Sequence, residues 1–197
     1  MYISERKWDE RLNIVTTGLS ASHADLNHNA YEPTPYSVLG RLVESGYVTP
    51  DSRWLDYGCG KGRVGFFLNR HTGCSVTGVE YNREIYDLAM KNHAAYEGEN
   101  IRFVLANAET YEIGTETCFY FFNPFSVALL QSVLSRILRS YYENPRQMRL
   151  FFYYPSDEYR SVLMESDFIF LEELDCMDLF AVTDRREKIL IFELSMV

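Results

Sequence analysis

The sequence has no apolar run long enough to cross a membrane and no excess of basic residues. Its most apolar stretches, residues 118–122 and 150–154, are the length of strands, whereas a membrane-spanning helix needs about 20 apolar residues. The 19 Lys and Arg are outnumbered by 28 Asp and Glu, which gives a formal net charge of −9. Proteins bind nucleic-acid duplexes largely by neutralising phosphates with Lys and Arg. We therefore expect neither a membrane nor a nucleic acid as a partner.

Cysteine and histidine are sparse, with four residues of each type. No two cysteines stand at a CxxC spacing, which argues against a zinc knuckle and against a redox pair. The N-terminus lacks the apolar stretch of a signal peptide, so we expect reduced thiols and a cytoplasmic location. His23, Asp25 and His28 are candidates for a metal cluster, but polar loops commonly collect such residues. We therefore predict that the protein binds no metal.

Hydrophobic residues make up 47% of the chain and aromatic residues 15%, enough to fill the core of one domain over 1–197. We predict that residues 1–48 form an N-terminal helical cap and that residues 49–197 form a cofactor-binding α/β core. One helix of the cap is predicted from an apolar stripe at helical spacing, namely Trp8, Leu12, Val15 and Leu19. A second helix is predicted to begin at Thr34-Pro35, with Thr34 as its N-cap. No pattern indicates an oligomeric state.

From residue 52 onward, apolar strands alternate with amphipathic helices. The predicted strands cover residues 52–57, 74–80, 101–105, 117–122, 148–154, 168–174, 179–182 and 188–194. Asn82, Ser126 and Ser156 are the predicted N-caps of three of the intervening helices. Such alternation is typical of a Rossmann-like, doubly wound and mostly parallel sheet. The turn at residues 183–186 adds an antiparallel strand pair at one edge.

The turn after the first strand is rich in glycine and reads Gly58-Cys59-Gly60-Lys61-Gly62. Glycines let the backbone turn tightly and approach a ligand, and the N–H groups that begin the next helix suit an anion. Glu80 ends the second strand, about 20 residues further on, where a carboxylate can accept hydrogen bonds from ribose hydroxyls. Together the turn and Glu80 predict an adenosine-containing ligand.

The stretch from Asp56 to Gly62 resembles motif I of the class I S-adenosylmethionine-dependent methyltransferases. The resemblance implies that Asp56 and the glycine turn hold the methionine end of the cofactor. Val79-Glu80-Tyr81 is similar to the family's ribose-binding strand end, where the residue after the acid packs on adenine. Asn107-Ala108 stands where the family often has Asp-Ala at the adenine edge. The cofactor-binding residues implied in this way are Asp56, Gly58, Cys59, Gly60, Gly62, Glu80, Tyr81, Asn107, Ala108, Asn123 and Pro124.

Asn123-Pro124-Phe125, after the fourth strand, resembles the Asn-Pro-Pro-aromatic motif of amino-methylating enzymes, with one proline missing. The resemblance implies that Asn123 is catalytic, accepting a hydrogen bond from the target amino group, and that Phe125 stacks on a planar substrate. The alternative is that these residues only end a buried strand and shape the cofactor pocket. Tyr31 and Tyr36 precede the core, in a region that often folds over the cofactor in this family. They are predicted to bind substrate, with aromatic packing as the alternative.

The function that follows is methyl transfer from S-adenosylmethionine to an unidentified acceptor, expected to be a small molecule or a protein side chain. Two alternatives remain open at this point. One is a nicotinamide-dependent oxidoreductase, although Arg63 stands where the third glycine of the GxGxxG pattern would fall. The other is a protein that binds an adenosine ligand without catalysing a reaction.

Overall fold

A seven-stranded sheet forms the centre of the protein in a computed structural model, which describes residues 4–18 and 32–194. Its strands are β1 (Arg53–Tyr57), β2 (Ser75–Glu80), β3 (Ile101–Leu105), β4 (Cys118–Phe121), β5 (Met148–Tyr153), β6 (Ile169–Asp175) and β7 (Lys188–Leu194). The strand order is β3-β2-β1-β4-β5-β7-β6. Strands β1 to β5 are parallel, and β7 is antiparallel to both of its neighbours. The predicted Rossmann-like sheet with an antiparallel edge pair is confirmed.

The helices that cover the sheet are α1 (Glu5–Leu12), α2 (Tyr36–Glu44), α3 (Arg63–Thr72), α4 (Arg83–Ala95), α5 (Val127–Glu143) and α6 (Asp157–Met164). The three predicted N-caps are confirmed, since the side chains of Asn82, Ser126 and Ser156 each accept a hydrogen bond from a backbone N–H in the first turn of α4, α5 and α6. Across the described ranges, no helix combines the length and the apolar character that crossing a bilayer would require.

Both faces of the sheet are buried, which explains why its central strands are almost continuously apolar. Neighbouring residues of β1 point to opposite sides, as strand geometry requires. Trp54 packs in the cluster that includes residues of α1, α2 and α3, whereas Leu55 packs in the cluster that includes α5 and α6. Because β1 lies at the centre of this double-sided core, the turn that follows it lies at the carboxyl ends of the central strands.

Three details of the predicted elements are wrong. Helix α1 ends at Leu12, because the next residue, Asn13, has a left-handed φ of 55°. Val15 therefore lies beyond the helix and is 68% exposed, and Leu19 lies outside the described residues. Helix α2 begins at Tyr36 with Pro35 as its N-cap, and the Thr34 hydroxyl shares a hydrogen bond with Tyr120 (3.1 Å) and does not cap the helix. The strand predicted at 179–182 does not form. These residues belong to the connection between β6 and β7, and β7 pairs directly with β6.

Candidate functional site

The glycine turn joins β1 to α3 and has the conformation that its sequence demands. Gly58, Gly60 and Gly62 have φ values of 71°, 57° and 89°, a left-handed region that other residues rarely adopt. The N–H groups of Gly58 and Cys59 donate to the carbonyl of Val79 in β2 (2.9 and 3.1 Å). A Cβ on Gly58 would lie 2.7 Å from that of Pro124. The turn is therefore fixed between the ends of β2 and β4.

Asp56 lies in β1, two residues before this turn, and its carboxylate is buried. Its residue is 3% exposed, and its Oδ2 has no hydrogen-bond partner within the part of the chain that the structure describes. Burial, followed by the nearby charge of Glu80, raises the pKa of Asp56 to about 8. A buried carboxyl of this kind is costly without a partner. A cationic group that entered the site would stabilise its ionised form.

Glu80 fastens the turn to the end of β2. Its carboxylate accepts hydrogen bonds from the backbone N–H of Gly60 (2.9 Å) and of Asn82 (2.8 Å). A carboxylate has about four lone-pair positions, so it can also accept hydrogen bonds from a ligand. Only the structure shows that Glu80 holds the glycine turn in place, because this contact joins two residues that lie far apart in the sequence.

The other predicted residues of the turn and of the neighbouring strand ends differ in accessibility. Cys59 is buried, its sulfur lies beside Gly78, and burial raises the pKa of its thiol. Tyr81, just beyond β2, is 52% exposed. The side chain of Asn107 accepts a hydrogen bond from the N–H of Glu109 (2.9 Å), and Ala108 is buried. Tyr81 therefore presents an accessible aromatic surface, whereas Cys59 has a packing role.

Asn123 and Tyr154 lie side by side where β4 and β5 end. Both have left-handed backbones, with φ values of 40° and 52°. The amide of Asn123 donates a hydrogen bond to the carbonyl of Tyr154. The residue that follows β5 therefore holds the Asn123 side chain. This contact lies at the carboxyl ends of the parallel strands, where the glycine turn also lies.

Phe125 belongs to the core in this structure. It is 5% exposed and packs edge-on against the ring of Tyr57, and its N–H donates to the hydroxyl of Tyr159 (3.1 Å). No open face of this ring is available for a planar substrate. The position of Phe125 favours a structural role for this residue.

Comparisons with known proteins bear directly on this site. A family model for a methyltransferase domain matches residues 55–144, the span that contains the glycine turn, Glu80 and Asn123. The fold also resembles that of the tRNA (uracil-54, C5)-methyltransferase of Pyrococcus abyssi, solved with S-adenosyl-L-homocysteine, with a TM-score of 0.59, 20% identity, and coverage of 84% of this chain and 40% of that one. Residues 55–144, a little under half of the chain, therefore match a methyltransferase domain.

Two curated relatives of this methyltransferase domain act on quite different acceptors. A histone-lysine N-methyltransferase of Dictyostelium discoideum, specific for lysine 79 of H3, is 25% identical over 121 residues, which are 57% of this chain and 6% of that protein. A geranyl diphosphate 2-C-methyltransferase of Saccharopolyspora erythraea is 30% identical over 87 residues, which are 44% of this chain and 29% of that protein. The chain thus spans less than a third of either relative.

The structure brings part of the predicted set together. Asp56, the glycine turn, Glu80 and Pro124 meet at the ends of β1, β2 and β4 of the methyltransferase domain. Tyr36 is 2% exposed and its hydroxyl donates to Asp9 (2.6 Å), a position that favours packing over contact with a substrate. Tyr31 and the group His23, Asp25 and His28 lie outside the described residues. Within residues 4–18 and 32–194, no group of His, Cys, Asp and Glu side chains could hold a metal ion.

Sequence reasoning missed a buried ionic network behind the turn of the methyltransferase domain. Arg63, the first residue of α3, is 3% exposed and donates hydrogen bonds to the hydroxyl of Thr16 (2.7 Å), to the carboxylate of Glu5 and to the carbonyl of Thr34 (3.1 Å). Its guanidinium stacks 4.3 Å from the centroid of the Tyr36 ring. The network ties the N-terminal residues to the helix that the glycine turn begins.

Lys61 and Asn92 make a second connection to the same N-terminal residues. The Lys61 ammonium donates to the carbonyl of Gly18 (3.0 Å), and the Asn92 amide donates to the carbonyls of Lys61 (3.0 Å) and Val15 (3.2 Å). Residues 13–18 therefore lie along the outer side of the turn. The Arg63 network had a signal in the sequence. Arg63 directly follows the third glycine of the turn, and two acidic residues, Glu5 and Asp9, stand four positions apart in α1.

Proposed function

We propose that this protein transfers a methyl group from S-adenosylmethionine to a small molecule or a protein side chain. The observation that carries the proposal is the left-handed glycine turn between β1 and α3, flanked by two buried carboxylates, Asp56 and Glu80. Asp56 has a buried oxygen to offer to the ammonium group of a methionine moiety, and Glu80 is placed to accept hydrogen bonds from a ribose. The residues present therefore suit this cofactor.

When bound, S-adenosylmethionine supplies a methyl group that is already activated by its positively charged sulfur. The task left to the protein is to hold nucleophile, methyl carbon and sulfur in line, which is catalysis by proximity and orientation. Gly58, Gly60 and Gly62 allow close approach of the backbone, and Glu80 fixes the turn. Asn123, anchored to Tyr154, is the candidate to orient the acceptor, and a base is needed only if the acceptor carries its proton at working pH.

The charge of the chain supports a small or protein acceptor over a duplex. With 28 acidic and 19 basic residues, its mean field repels closely spaced phosphates. One relative is named for a protein lysine and another for geranyl diphosphate, which are acceptors of these two kinds. The tRNA methyltransferase of Pyrococcus abyssi shares the fold, but at 20% identity this likeness carries no information about the acceptor of this protein. All four cysteines are buried free thiols, which supports a reducing, cytoplasmic location as part of the proposal.

Cofactor binding tests the proposal directly. Calorimetry with S-adenosylhomocysteine should show saturable binding by the wild type and none by Gly60→Val, since a branched side chain at φ 57° is strained and fills the turn. Gly40→Ala is the matched control, because a Cβ there meets nothing within 4 Å. Equal affinity of Gly60→Val and wild type would exclude the turn as the site.

Ligand-induced thermal stabilisation separates the three functions considered. A ligand at 100 times its dissociation constant should add about 2.7 kcal/mol to the free energy of unfolding. Stabilisation by NAD and not by S-adenosylhomocysteine would favour an oxidoreductase. Stabilisation by S-adenosylhomocysteine, with no acceptor found in a tritiated-methyl screen of RNA, protein and small-molecule fractions, would favour a non-catalytic binding protein.

A further inference from the structure

A cavity opens where β5 ends and β7 begins. Its volume is about 390 Å³, and it lies between the start of α6 and the turn that leads into β7. The residues that line it are Pro155, Ser156, Asp157, Glu158, Arg160, Asp184, Arg185, Arg186, Lys188 and Leu190. The cavity has room for a small organic molecule or for part of one.

Tyr154 connects this cavity to the end of β4. Its carbonyl accepts the hydrogen bond from Asn123, and its hydroxyl donates to the Oδ2 of Asp184 (2.7 Å). The guanidinium of Arg186, which lines the cavity, stacks 4.3 Å from the centroid of the Tyr154 ring. A left-handed backbone is unusual for a bulky aromatic residue, and such strained residues are concentrated at functional sites. Tyr154 therefore links Asp184 and Arg186, which line the cavity, to the candidate transfer residue Asn123.

The charges that line the cavity are partly balanced within the protein. Asp184 pairs with Arg186 (2.8 Å), and Lys188 pairs with Glu173 (2.9 Å). Arg160 and Arg185 are exposed, and no carboxylate of the described chain lies within ion-pair distance of either guanidinium. Two guanidinium groups thus remain available to a ligand in an otherwise strongly acidic protein.

Two acidic residues, Asp157 and Glu158, also line the cavity. Asp157 and Glu158 occupy the first turn of α6, where the helix dipole favours negative charge. Hydrogen bonds from its own backbone N–H and from the side chain of Ser156 lower the pKa of Glu158. Both carboxylates therefore have a role in starting the helix.

We propose that this cavity holds the anionic group, a carboxylate or a phosphate, of a small methyl acceptor. The planar guanidinium groups of Arg160 and Arg185 match such anions in geometry as well as in charge. The acceptor would extend from this anchor past Tyr154 to Asn123, which orients the atom to be methylated. The inference rests on the proposed methyltransferase function for the reaction, whereas anion binding itself can be measured without cofactor.

Titration of the isotope-labelled 197-residue protein with sodium acetate and, separately, inorganic phosphate tests the inference by NMR. Saturable shifts of the side-chain Nε–H resonances of Arg160 and Arg185 are expected with at least one anion. In the double variant Arg160→Gln/Arg185→Gln the dissociation constant should rise about tenfold or more, since each charged hydrogen bond contributes strongly. The matched control is Arg139→Gln, since Arg139 is an exposed residue of α5 whose ion pair among the described residues is with Glu143 (3.8 Å).

Each outcome of the titration supports or overturns the proposed anion site. Binding of acetate alone identifies a carboxylate acceptor and binding of phosphate alone a phosphorylated one. Non-saturable shifts with both anions, equal affinity of the double variant, or an equal loss in Arg139→Gln would overturn the inference. Calorimetry with S-adenosylhomocysteine on the same samples keeps the two proposals apart. Failure of the wild type to bind it contradicts the proposed function and leaves the anion result standing.

Discussion

Replacement of Arg63 by Met is the sharpest test of the network behind the glycine turn. Methionine keeps an unbranched apolar side chain over the Tyr36 ring and removes the guanidinium. The Thr34 carbonyl and the Thr16 hydroxyl each lose a donor, and both residues are buried. Glu5 loses its ion pair, and the buried carboxylate of Asp9 loses the guanidinium that lies 3.9 Å away. Breaking a buried charged network of this kind costs about 3–5 kcal/mol of the free energy of unfolding.

Urea denaturation followed by fluorescence measures this cost. The matched control is Arg139→Met, whose ion pair with Glu143 (3.8 Å) is exposed and should contribute at most about 1 kcal/mol. Because Arg63 begins α3 directly after the turn, the variant should also bind S-adenosylhomocysteine more weakly at temperatures where it is fully folded. A loss of stability no greater than that of Arg139→Met would refute the view that the network anchors the N-terminal residues.

Three further outcomes are expected. In ligand-free protein the contribution of Asp56 to the free energy of unfolding should fall as pH rises from about 4 to 8, because Asp56 has a pKa of about 8 when folded and an ordinary value of 3.8 when unfolded. The wild type should therefore lose stability over this range relative to Asp56→Asn, and equal pH slopes for the two proteins would contradict this. Glu80→Gln should weaken S-adenosylhomocysteine binding by about 1.5–3 kcal/mol in calorimetry. Exposed Glu84→Gln should not, and equal affinities for both variants would argue against a ribose contact. Finally, Tyr154→Gly should be more stable to urea than Tyr154→Ala by about 1–2 kcal/mol, since only glycine adopts φ 52° without penalty, and the reverse order would exclude backbone strain at this position.

The alternation of elements, the helix caps and the glycine turn could be predicted from the sequence, because each depends on residues close together in the chain. Asn82, Ser126 and Ser156 cap their helices through hydrogen bonds to N–H groups two or three residues further on. The glycines of the turn are needed for their own backbone angles. The positions of Asp56 and Glu80 could be predicted for the same reason, because each stands at or next to the end of a strand that the neighbouring residues define.

Only the tertiary structure decided which of these side chains meet and which are buried. Tyr36 and Phe125 are suitable substrate contacts by residue type, yet both lie in the core, where partners distant in sequence surround them. The contacts of Arg63 with residues 5–16 depend on how α1 packs on α3. The left-handed Tyr154 is held by Asn123 and Asp184, residues 31 and 30 positions away. No local pattern encodes such contacts, since they arise when the completed sheet brings the ends of its strands together.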